Sequence, residues 1–253
     1  MRNIQNDPRL KNVIMLRPHR QLTLFLVGLV GLVVASFLIE LFMYLIARSI
    51  APTDYDYEMF IDSSLSSMIV NGSAYVILGV VFIVLLKNES EEFFKSFKTW
   101  KPYVAALVGF GSIILFNLAY SIFIACLGIN MTDNGNEASL TNIVNDFPLA
   151  SLVIFAFIGP ACEELTYRVG LFSLTRRVNR VLAYIATIIV FTLIHFDFTS
   201  TTMVNELLNI PAYAFGAFVL TYLYERYGFA SSLSAHITNN LFSILLTIFG
   251  KIK

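Results

Sequence analysis

Seven apolar stretches, at roughly 22–47, 65–86, 103–128, 147–170, 181–196, 207–224 and 229–249, take up most of this chain and leave few folds open to it. Inside a bilayer the backbone has no water to pair with, so only helices and closed barrels span it. A helix rising 1.5 Å per residue needs about 20 residues to cross a hydrocarbon core of about 30 Å. A barrel would need alternating segments of about ten residues, a pattern this sequence does not show. The expected fold is all-α: a polytopic transmembrane helical bundle of seven to eight helices, one membrane domain over residues 1–253. The fifth and sixth stretches are short, and a further span or re-entrant piece around 196–210 would make the eighth.

Composition excludes the soluble alternatives. With 57% hydrophobic and 13% charged residues and a mean hydropathy of +0.73, the chain lacks the polar residues to cover a water-facing surface. Net charge is zero by formal count, so nothing points to nucleic acid. The basic residues fall in alternate connections: Arg17 and Arg20 before the first stretch, Lys87 to Lys101 after the second, Arg176, Arg177 and Arg180 after the fourth. The connections 51–63 and 129–146 contain only acidic charges. By the bias of Lys and Arg toward the cytoplasm, the N-terminus is expected there. Lys251 and Lys253 would then favour an eighth crossing. The polar first 21 residues do not read as a cleavable signal, since the apolar run after them is too long. Neither Cys126 nor Cys162 is placed for a disulfide.

Against this background the polar residues inside apolar stretches stand out: Glu163, Glu164 and Arg168 in the fourth, His195 in the fifth, His236 and Asn240 in the seventh. Charged groups at membrane depth cost roughly 2.5–3.5 kcal/mol each on insertion scales, so a functional site is the default expectation. Glu164 and Arg168 are four apart and predict an ion pair on one helical face. Glu163 points about 100° away at 3.6 residues per turn, toward another helix. Counted from a turn at Asn179, Glu163 and His195 each lie sixteen residues away, at matching depth. His236 and Asn240 share a face four residues apart. All four are expected in a single buried pocket.

Such a pocket suits two chemistries. A carboxylate and an imidazole aimed at one water make a general-base arrangement, with a second His and an Asn amide as donors to an oxyanion. The same Glu, His, His and Asn would also suit a divalent metal such as zinc.

EELTYR at 163–168 fits E-E-x-x-x-R, FTLIH at 191–195 fits F-x-x-x-H, and HITNN at 236–240 fits H-x-x-x-N. In this order the three motifs resemble the CAAX protease and bacteriocin-processing family of intramembrane proteases (CPBP or Abi). The resemblance covers 147–245, a catalytic core within the membrane domain. It implies an endopeptidase in which Glu163 and His195 activate water, His236 and Asn240 stabilise the oxyanion, and Glu164 with Arg168 supports Glu163. No metal is carried over from it, because an Asn at the fourth position fits a metal-free mechanism better, and no cofactor is expected; the substrate it implies is a membrane-embedded or lipid-anchored peptide. Short loops, no organelle signal and a size near that of the family's bacterial members point to a bacterial plasma membrane.

Each residue also has a plainer role. A Glu–Arg pair locks helices together, and a membrane His or Asn is often packing glue. A non-catalytic scaffold or bacteriocin self-immunity protein would need only those roles. A proton-coupled transporter would use Glu and His as a relay, but the sequence shows no inverted halves. Asp197 and Glu206 are expected in a loop at the outer mouth, and Gly159-Pro160 as a kink beside the carboxylates.

Overall fold

The computed structural model describes residues 10–50, 53–61 and 63–250, and all regular structure among them is helical. Ten helices follow in order: α1 (Pro18–Ile50), α2 (Asp54–Ile61), α3 (Ser64–Leu86), α4 (Ser90–Ser96), α5 (Lys101–Cys126), α6 (Gly135–Asp146), α7 (Pro148–Thr175), α8 (Arg180–Leu193), α9 (Met203–Tyr227) and α10 (Phe229–Gly250). Six of them, α1, α3, α5, α7, α9 and α10, are long and apolar enough to cross a membrane. The chain is a multi-pass helical membrane protein.

Local chemistry sets the ends. Ser63 accepts from the Ser66 N–H to start α3, Asn134 from the Glu137 N–H to start α6, and Asn179 from the Val181 and Leu182 N–H groups to start α8. Pro148 opens α7 where its missing N–H costs nothing. Gly228, at φ 91°, turns the chain between α9 and α10 in a conformation open mainly to glycine.

Three boundaries differ from expectation. The fifth stretch forms only 14 helical residues, Arg180–Leu193, which reach about 21 Å at 1.5 Å per residue and stop short of a full crossing. His195 lies just beyond it, in a turn closed by its N–H to the Thr192 carbonyl. No extra span fills 196–210: the chain turns at 194–202 and starts α9, which runs through Pro211 to Tyr227. Glu206 is therefore helical and buried, not in a loop. Seven apolar helices result, α8 being the short one, and no eighth lies among the described residues; Lys251 and Lys253 fall outside them.

The bundle is built around α7. Every residue from Thr166 to Phe172 is buried, whereas Val33 and Phe37 of α1, Ile83 of α3 and Val108 and Leu115 of α5 face outward. That is the arrangement expected where lipid, not water, is the solvent. Helix α1 lies against the second half of α7 at close range. A Cβ on Gly28 would sit 1.9 Å from Thr166 Oγ1, and one on Gly170 would sit 2.8 Å from the Phe25 nitrogen. Small residues let the two backbones approach this closely. On the other side, α10 packs against α5 and α9.

Candidate active site

Helix α7 is not a regular α-helix where the charges sit. Residues 154–158 and 164–172 are wound as π-helix, with an α-helical piece, Gly159–Glu163, between them. Pro160 has no N–H to give, and the carbonyl five residues earlier, on Phe155, accepts instead from Asn240 Nδ2 at 3.0 Å. A π-bulge that frees a carbonyl is common at functional sites. Here the freed group ties α10 to α7.

Glu163, His195, His236 and Asn240 all line one cavity of about 270 Å³, together with Tyr75, Asn117, Glu137 and Tyr213. Glu164 and Arg168 do not line it. They lie behind His236 with no exposed surface, paired at 3.0 Å. Glu164 also accepts from His236 Nδ1 at 2.9 Å and from the Ser232 hydroxyl. A carboxylate paired with arginine only accepts, so His236 carries its proton on Nδ1 and turns Nε2 toward Glu163 Oε2, 3.6 Å away. His195 is fixed the same way: Nδ1 donates to the Phe191 carbonyl at 2.7 Å, leaving Nε2 an acceptor, and the ring stacks on Tyr213 at 4.7 Å. Arg168 lies 4.6 Å over the Phe191 ring, so the buried cation backs the last turn of α8, just before His195.

The two oxygens of Glu163 are not equivalent. Oε1 accepts from the Tyr75 hydroxyl at 2.7 Å, while Oε2 is buried and has no hydrogen-bond partner. Asn240 spends one of its two amide hydrogens on Phe155, so one remains for a ligand. A second polar group holds the turn that carries His195. Glu206 accepts from the Gly135 and Asp197 N–H groups, and Asn134 Nδ2 donates to the His195 carbonyl. Burial raises the Glu137 carboxyl in the cavity wall above its ordinary range, with Asp133 nearby adding to the effect.

Two contributors escape a reading of the sequence, and a third, Glu206, is read there only as a loop residue. Tyr75 is one of twelve tyrosines in the chain, with no neighbour to mark it. Ser232 reads as a small residue in a membrane helix. Glu206 carries a signal, a carboxylate in the first turn of α9, but its partners are backbone N–H groups from segments about 10 and 70 residues away. Among the described residues no three His, Cys, Asp or Glu side chains come together as a metal-holding group.

Fold and site together define a polytopic membrane protein with a glutamate–histidine cavity beside a broken helix. Residues 145–242 match the family model described as type II CAAX prenyl endopeptidase Rce1-like, so the chain carries an Rce1-like segment, as its three motifs indicated; the matched family is one of CAAX-type intramembrane proteases. A UPF0177 protein, YvdC, of Lactococcus lactis subsp. lactis is similar to it, 26% identical over 153 residues, which are 59% of this chain and 56% of that protein. An uncharacterized protein of Mycoplasma capricolum subsp. capricolum is 23% identical over 198 residues, 74% of this chain and 56% of its own length. The matches thus span little more than half of each relative. No solved structure matches the chain.

Proposed function

We propose that this protein is an intramembrane endopeptidase that hydrolyses a peptide bond in a membrane-embedded or lipid-anchored substrate. The observation that carries this reading is the unpartnered Glu163 Oε2, buried in a cavity that His195, His236 and Asn240 also line. In the proposed reaction a water lies between Glu163 Oε2 and His195 Nε2, both acceptors. Glu163 takes one proton as the water oxygen attacks the carbonyl carbon. The resulting oxyanion accepts from the second amide hydrogen of Asn240 and from His236 Nε2 when that nitrogen is protonated. The C–N bond breaks as Glu163 returns its proton to the leaving nitrogen, which releases an acid and an amine.

The rest of the reading follows the same line. The protein acts as one membrane domain, with 147–245 as its catalytic core. It sits in a bacterial plasma membrane, which the bacterial relatives support, with its N-terminus in the cytoplasm, which the charged connections support.

The test is cleavage of a pool of membrane peptides by detergent-purified wild type and Glu163→Gln, read by mass spectrometry with and without chelator. Products from wild type alone, unchanged by chelator, are expected. Loss of products with chelator would assign the site to a metal. If wild type yields none while Glu163→Gln keeps the cellular phenotype, a non-catalytic scaffold or self-immunity role replaces the proposal.

A further inference from the structure

Tyr75 comes from α3, outside the Rce1-like segment, yet it makes the only hydrogen bond to the Glu163 carboxylate among the described residues. Three contacts place it. Its ring lies 3.6 Å from where a Cβ on Gly159 would sit, so it rests on the face of α7 at Gly159, beside Pro160. The same ring meets Phe155 edge to face, centroids 6.3 Å apart. Its carbonyl accepts from the Cys162 thiol at 3.8 Å, which fixes the register of α3 against the carboxylate's own turn.

We propose that Tyr75 is the positioning residue for Glu163: its hydroxyl holds Oε1, so that Oε2 is the oxygen that meets the attacking water. This rests on the endopeptidase reading above. A carboxylate facing a cavity has several rotamers within reach of its neighbours. A hydroxyl anchored on a packed ring selects one of them. Glu163 then presents a single free oxygen to the cavity, on the side facing His236. Holding a reacting group in one orientation contributes to rate, not to substrate affinity.

Tyr75→Phe keeps the ring and its packing and removes only the donor. The expected result with a peptide that wild type cuts is a fall in kcat on the order of 10- to 100-fold, the worth of a hydrogen bond to a charged group, at nearly constant KM. Thermal unfolding in detergent checks that the variant is folded. Should it fold poorly, 4-aminophenylalanine and 4-fluorophenylalanine are placed at position 75; both fill the space, and only the first donates. Near-wild-type kcat with the amine and a slow enzyme with fluorine is the expected pair. Equal kcat for wild type and Tyr75→Phe, or equal loss with both analogues, overturns the assignment while leaving the endopeptidase intact. A wild type that cuts nothing overturns both.

Discussion

Arg168 and Glu164 form an ion pair at 3.0 Å with no accessible surface on either side chain. One turn of π-helix brings them together, and each then serves a different partner. Glu164 fixes His236, and Arg168 backs the Phe191 ring whose carbonyl fixes His195. The tautomer of His236 therefore traces back to this buried pair, while that of His195 is set by the backbone carbonyl of Phe191, over whose ring Arg168 lies.

Removing one charge leaves the other stranded in an apolar core. Arg168→Met is expected to destabilise the protein by about 3–5 kcal/mol, read as thermal unfolding in detergent. Arg168→Met with Glu164→Met should recover part of that loss, because no charge stays unpaired. It should recover no cleavage, because His236 loses the group that holds Nδ1. Full stability loss in the double variant would show that Glu164 matters to folding mainly through His236 and Ser232.

The Asn240–Phe155 hydrogen bond exists because Pro160 has no N–H. Asn240→Leu leaves a buried carbonyl unpaired and is expected to cost about 1–3 kcal/mol. In a Pro160→Ala background a backbone donor is available again, and the same substitution should cost clearly less. A double-mutant cycle on unfolding reads the difference. Additive effects would show that the two residues do not share the carbonyl.

Much of this was legible in the sequence, because membrane helices and intramembrane charges are local signals. Apolar length alone gave the bundle, and helical spacing gave the Glu164–Arg168 pair and the shared face of His236 and Asn240. The misses are non-local or depend on backbone winding. The end of α8 at Leu193 leaves His195 in a turn that hydropathy runs straight through. The π-helical pieces of α7 have no marker beyond Pro160. Glu206 lies eleven residues after His195, yet it clamps the His195 turn to α6 through backbone groups that no side-chain pattern records.

The approach of α1 to α7 leaves no room at Gly28. A methyl there meets Thr166, whose hydroxyl is already bonded to the Cys162 carbonyl, two residues before Glu164. Gly28→Ala is expected to cost about 1–3 kcal/mol as overpacking, measured by unfolding in detergent. Thr166→Ala in the same chain should return only part of it, because the Thr166 Cβ stays 2.6 Å from the new methyl. If Gly28→Ala alone unfolds like wild type, α1 is free to move away from α7 and the close approach is not a constraint.

Glu137 gives the protein a pH dependence with a definite sign. It lies in α6, outside the six spanning helices, and burial raises its carboxyl above the ordinary 4.5. A raised carboxyl binds its proton more tightly folded than unfolded, so its contribution is fullest below about 4.5. It is lost as pH rises through the folded value. Glu137→Gln, which is neutral throughout, should therefore match wild type near pH 4 and unfold at a higher temperature than wild type at pH 7–8. Melting curves across that range decide it. A gap that narrows toward neutral pH would mean that the charged carboxylate has a favourable partner in the cavity wall.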